Sequence, residues 1–138
     1  KSSRHDMNFQ LEKIKPNFVN RIDKFADKKK SVNVEEMEKI YINTNFAPCP
    51  AGFFHPESYR IYEALQCGTI PIVESVYNYF DSIYPNNPLI KINKWKEAKE
   101  IIDNWSHDQI LNKRKECFNW WNQYLLDHKN FVRKKIKE

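Results

Sequence analysis

The chain has 138 residues, of which 41% are hydrophobic and 14% aromatic. That composition suits one globular domain with a respectable core and excludes intrinsic disorder. No apolar run approaches the ~18–20 residues of a membrane span and no signal peptide is visible, although the chain starts at Lys1 rather than Met, so an upstream portion is expected. Residues 1–30 hold nine Lys/Arg against four Asp/Glu, 31–105 six against ten, and 106–138 eight against four. A net charge of +5 invites a nucleic-acid reading. The runs DKKK and RKKIKE read instead as a loop and a frayed helix end, and no nucleic-acid partner is expected.

In chain order, SRHDMNFQLEKI (3–14) places Met7, Leu11 and Ile14 at helical spacing and predicts an amphipathic helix ended by Pro16. NFVNRIDKFA (17–26) is ambiguous between strand and helix. NVEEMEKIYIN (33–43) predicts a helix capped by Asn33, with Glu35 and Glu36 near the positive end of its dipole. TNFAPCP (44–50) reads as a short strand and AGFFHP as a loop. ESYRIYEALQC (57–67) predicts a helix that starts after Pro56 and stops at Gly68. TIPIVES (69–75) reads as a buried strand, with Pro71 counting against a central position. YNYFDSIYPNNP (77–88) is a turn-rich connection, LIKI (89–92) a short strand, and KWKEAKEIIDNW (94–105) a helix. From Ser106 the pattern is one or two helices with Ile110, Leu111, Cys117, Phe118, Trp121, Tyr124 and Leu125 inside. Alternating helices and short apolar strands predict an α/β fold, a Rossmann-like three-layer domain with a parallel sheet spanning 1–138 and carrying C-terminal helices at 106–138.

The three cysteines, Cys49, Cys67 and Cys117, show neither a CxxC pair nor zinc spacing. They read as reduced thiols of a cytoplasmic protein, with Cys67 and Cys117 in the core; a membrane-anchored upstream region would move the expected location to the Golgi lumen.

Four of the seven prolines and both glycines fall between Pro48 and Ser75. In open parallel sheets ligands bind at the carboxyl ends of strands, and the strand at 44–48 runs straight into this loop and the following helix. The helix start offers free N–H groups to a phosphate, and Arg60 adds a planar donor fork. Glu63, on nearly the same face, could accept two ribose hydroxyls. The competing reading makes Glu57, Arg60 and Glu63 a solvated i,i+3 ladder. Neither GxGxxG nor a Walker loop is present.

CPAGFFHPESYRIYEALQCGTIPIVE resembles the signature segment of exostosin-like glycosyltransferases of the GT-B fold, and a weaker likeness runs over about residues 40–130. The resemblance implies the C-terminal, donor-binding half of such an enzyme. It implies donor-binding roles for Gly52, Ser58, Tyr59, Arg60 and Glu63: Arg60 would face the diphosphate, Glu63 the ribose, and Gly52 would let the loop approach. It further implies a nucleoside-diphosphate sugar as donor, UDP-xylose being the candidate, and a glycan or polyol-phosphate acceptor. An N-terminal acceptor-binding domain outside this chain is implied, and no cofactor or metal. The isolated domain is expected to be inactive, and no catalytic base is named. His55 lies in the loop, while His107 and His128 fall at surface helix positions. Phe53, Phe54, Tyr77 and Tyr79 are the loop aromatics available to stack on a base or sugar, whereas Trp95, Trp105, Trp120 and Trp121 read as core. A non-catalytic binding module is the alternative. A response-regulator-like domain would need clustered early acidic residues that are missing here.

Overall fold

A computed structural model describes residues 3–20, 31–52 and 54–138. The ambiguous stretch 17–26 therefore lies partly outside the described residues, as does Phe53. The elements are α1 (Ser3–Leu11), α2 (Val34–Ile42), β1 (Phe46–Cys49), α3 (Tyr59–Gln66), β2 (Ile70–Glu74), α4 (Tyr79–Ile83), β3 (Ile90–Ile92), α5 (Trp95–Asn104) and α6 (His107–Lys137). The strands form a parallel sheet in the order β1-β2-β3, with Phe46 opposite Ile70 and Ile72 opposite Ile90. Helices α3 and α6 pack on each other and on the sheet; α5 lies against β3 and supports α1. This is the expected Rossmann-like, three-layer α/β arrangement.

Local chemistry explains the boundaries. Asn33 caps α2, its side chain accepting from the Glu36 N–H at 2.8 Å. Helix α3 ends in a Schellman motif: Gly68 adopts φ +65°, its N–H bonds to Leu65 O at 3.1 Å, and the Thr69 N–H bonds to Ala64 O at 2.9 Å. Only glycine enters that left-handed conformation without Cβ strain. The motif turns the chain directly into β2.

The prolines are placed differently from expectation, because Pro71 sits in the central strand. Ile70 donates its N–H to Asn45 O on the β1 side, and Ser75 donates to Ile92 O on the β3 side. Odd-numbered residues of β2 thus address β3. The N–H that Pro71 lacks would point to that side ahead of Ile90, where β3 has not begun, so no ladder bond is lost.

Ile70, Ile72 and Val73 of β2 are fully buried, as a strand covered on both faces should be. Ile61, Ala64 and Leu65 of α3 share one helical face and bury against them, with Phe80, Ile92, Trp95, Ala98 and Cys117 completing the core. Each of Ile61 and Leu65 contributes about 1.5–3 kcal/mol by that burial.

Two expectations fail. The 77–88 connection contains the short helix α4. Downstream of Ser106 the pattern is a single 31-residue helix, and of the seven residues expected inside it only Cys117 is fully buried, with Ile110, Trp121 and Tyr124 half-buried. Leu111, Phe118 and Leu125 are exposed.

Candidate functional site

Strand β1 ends at Cys49, and the chain returns through residues 50–57 to Ser58, which caps α3 with extended backbone (φ −139°) but makes no side-chain capping bond. The Ser58 Oγ is inaccessible to solvent and without a partner among the described residues. Glycine at 52 has a local cause: a Cβ there would come within 3.0 Å of the backbone oxygens of His55 and Glu57. The loop folds onto itself at Gly52.

The helix starts two residues later than the sequence pattern suggests, and this separates the three charges. Glu57 precedes the cap and leaves the helix face. Its carboxylate accepts the hydroxyls of Tyr62 and Tyr84. Burial opposes ionisation, but these hydrogen bonds outweigh it and hold the carboxyl below the usual glutamate range. Burial and the Glu57 hydrogen bond conversely drive the Tyr84 hydroxyl far above the usual tyrosine range.

Arg60 and Glu63 remain on one side of α3. Both charges act on the Cys49 thiol at the end of β1 and on the Tyr41 hydroxyl at the end of α2. Burial first, tempered by Arg60, pushes the Cys49 thiol up to about 12. Arg60 is exposed and is the one Lys or Arg between Lys39 and Lys91. The ion pairs among the described residues lie on α5, on α6 and between Lys91 and Asp81, none of them with Arg60. The solvated ladder is therefore not formed. Glu63 is exposed and accepts one hydrogen bond, from the Tyr41 Oη to Oε2 at 3.1 Å.

The chain matches the family model described as the RXYLT1 C-terminal domain over residues 1–138. It belongs to that family. The match agrees with the likeness of the 49–74 segment to the C-terminal domain of ribitol-5-phosphate xylosyltransferase, and it makes the chain a glycosyltransferase-family domain. Neither the curated proteins nor the solved structures give a match.

Around this centre the RXYLT1-family domain presents exposed aromatics. Phe54 is 95% exposed in the loop, Tyr59 85% at the first position of α3, and Tyr77 99% after β2. Tyr77 and Asn78 both hold positive φ, +48° and +54°, an uncommon backbone for a bulky residue. Tyr79 opens α4 and packs edge-on against Phe80. Trp95 is buried as expected, and Trp105, Trp120 and Trp121 pack partly buried against the core. His55 and His107 are exposed, and His128 stacks on Tyr124. Cys117 is buried, whereas Cys67 is only half-buried, at the end of α3 rather than in the core. Among the described residues no helix is long and apolar enough to cross a membrane.

Sequence reasoning passed over two residues that shape the site. Glu74 closes β2 and accepts from Ser3 Oγ (2.6 Å), Ala51 N–H (3.1 Å) and Trp95 Nε1 (3.1 Å). It ties α1, the loop after β1 and the start of α5 to one carboxylate. A charged residue directly after a buried apolar strand was the available signal, since such a group needs donors. Tyr41, the partner of Glu63, carried no comparable signal.

Proposed function

We propose that this chain is the nucleotide-sugar donor-binding domain of an exostosin-like GT-B glycosyltransferase, taking a UDP-sugar. The observation that carries the reading is the pair Arg60 and Glu63 on one face of α3, the helix that follows β1, with Arg60 free of ion pairs to described residues. A guanidinium presents a fork that fits phosphate oxygens, and the uncapped first turn of α3 adds N–H groups and a positive dipole end. Together they would hold the diphosphate and stabilise it as it leaves. Glu63, one helical turn on, would accept ribose hydroxyls. Positive charge at the leaving group then comes from protein groups, so binding is expected without an added metal. Tyr59, Phe54 and Tyr77 are exposed where a base or sugar would lie, and the buried Ser58 Oγ sits at the phosphate end. A sugar, xylose in the first instance, would pass to a glycan or polyol-phosphate acceptor held by an N-terminal domain outside this chain.

Calorimetric titration with UDP and uridine, with and without EDTA, tests the reading. Arg60→Ala should keep the fold and weaken UDP by about 1.5–3 kcal/mol while sparing uridine, and Glu63→Ala should weaken both alike. Binding that requires Mn²⁺ or Mg²⁺, or unchanged affinity in both variants, would refute it.

A further inference from the structure

We infer that Tyr41 is a positioning residue of the donor site, fixing the Glu63 carboxylate so that it receives the 2′,3′-diol of a nucleotide; this rests on the donor-site reading above. The Tyr41 Oη donates to Glu63 Oε2 at 3.1 Å across 22 residues of sequence. One carboxylate oxygen is thereby engaged, while Glu63 itself is exposed on α3.

Tyr41 is itself held from several directions. Its carbonyl accepts from the fully buried Thr69 Oγ1 at 2.5 Å. Thr44 Oγ1 donates to Ile40 O at 2.6 Å in the same turn. Arg114, reaching from α6, donates through Nη2 to Ile42 O (2.8 Å), through Nη1 to Asn45 Oδ1 (3.3 Å) and through Nε to Gly68 O (2.8 Å). The carboxyl ends of α2 and α3 are thus keyed to one guanidinium and one buried hydroxyl. That setting brings Tyr41 opposite Glu63. A solvent-exposed glutamate without such a partner must lose its rotamer freedom when ligand arrives. Glu63 has lost part of it beforehand, and pre-organisation of this kind appears as affinity for the group recognised.

The test titrates UDP and 2′,3′-dideoxy-UDP into this chain as wild type, Tyr41→Phe, Glu63→Ala and the double variant. Tyr41→Phe keeps the ring and removes only the hydroxyl. It should weaken UDP roughly 3- to 10-fold, the scale of refixing one glutamate side chain, leave dideoxy-UDP unchanged, and add no loss in the Glu63→Ala background. A general structural role would instead weaken both ligands alike and lower the melting temperature in both backgrounds, and that result overturns the inference. If wild type discriminates UDP from the dideoxy compound and Tyr41→Phe retains the whole ratio, the positioning role alone is overturned. If wild type does not discriminate, the donor-site reading falls with it.

Discussion

Replacing Glu74 by Gln probes the tie beneath the site with the smallest possible change in shape. The carboxylate serves three donors with two oxygens: Ser3 Oγ and the Ala51 N–H on Oε2, and the Trp95 indole N–H on Oε1. An amide has one oxygen and one NH₂. Turned one way, it presents NH₂ to the indole; turned the other, it presents NH₂ to the Ala51 N–H. Turned the first way, the amide oxygen keeps the Ala51 N–H and the Ser3 hydroxyl, and the indole N–H falls back on Ser3 Oγ, its second acceptor at 3.3 Å. Trading a bond to a charged oxygen for a longer one to a neutral hydroxyl costs about 1–2 kcal/mol. A chain of this size has roughly 7–20 kcal/mol of stability, so the variant still folds. At about 4 °C per kcal/mol for this length, the melting temperature should fall by roughly 4–8 °C. Circular-dichroism melts and urea titration measure that fall. Hydrogen exchange resolved to the 50–58 segment shows whether the loop after β1 opens with it. A melting temperature within 2 °C of wild type would refute the tie.

Arg114→Lys should cost about 1–2 kcal/mol, since one ammonium cannot reach Gly68 O, Ile42 O and Asn45 Oδ1 together; urea denaturation reads it directly. The thiols should divide by burial: iodoacetamide at pH 8 labels Cys67 first, and Cys49 and Cys117 only with denaturant, as mass spectrometry of quenched samples would reveal. Burial holds both of the latter protonated up to about 12, so between about pH 9 and 12 the unfolded chain binds fewer protons than the folded one. Stability therefore falls as pH rises through that window, by up to about 1.4 kcal/mol per pH unit for each thiol; a flat profile from pH 8 to 10.5 would contradict it.

Much of the fold is legible because it is written locally. Asn33 before an acidic first turn marks α2, and Gly68 after an apolar face marks the end of α3. What the sequence hides depends on partners far along the chain. Pro71 looks unsuited to a central strand until the alternation of ladder bonds shows its missing N–H falling outside β3. Helix α4 begins only after two left-handed residues, Tyr77 and Asn78, for which no periodicity exists. Phe118 and Leu125 continue an apolar stripe, yet a stripe cannot say where its partner surface stops. The same division holds at the site. Arg60 and Glu63 are recognisable from spacing on one helix. Tyr41 reaches Glu63 from another helix, and Ser3 reaches Glu74 across 71 residues, contacts that no local pattern encodes.

Glu57, Arg60 and Glu63 show how a single backbone decision sorts chemically equivalent charges. On a continuous helix, residues three apart lie about 60° from one another, and alternating signs would favour two pairs worth about 0.2–0.5 kcal/mol each. An anion binding Arg60 would then have to displace them. Starting the helix at Tyr59 removes Glu57 from that face and gives it to Tyr62 and Tyr84, which satisfy it as an anion. Glu63 is turned toward Tyr41 instead. Arg60 keeps its charge with no pair to break among the described residues, so on the proposed donor-site reading an arriving phosphate would meet it at the cost of dehydration alone. A solvated ladder and an unpaired Arg60 are therefore alternatives set by where α3 begins; Ser58, in extended conformation at the cap, gives the second, and the proposed donor site depends on it.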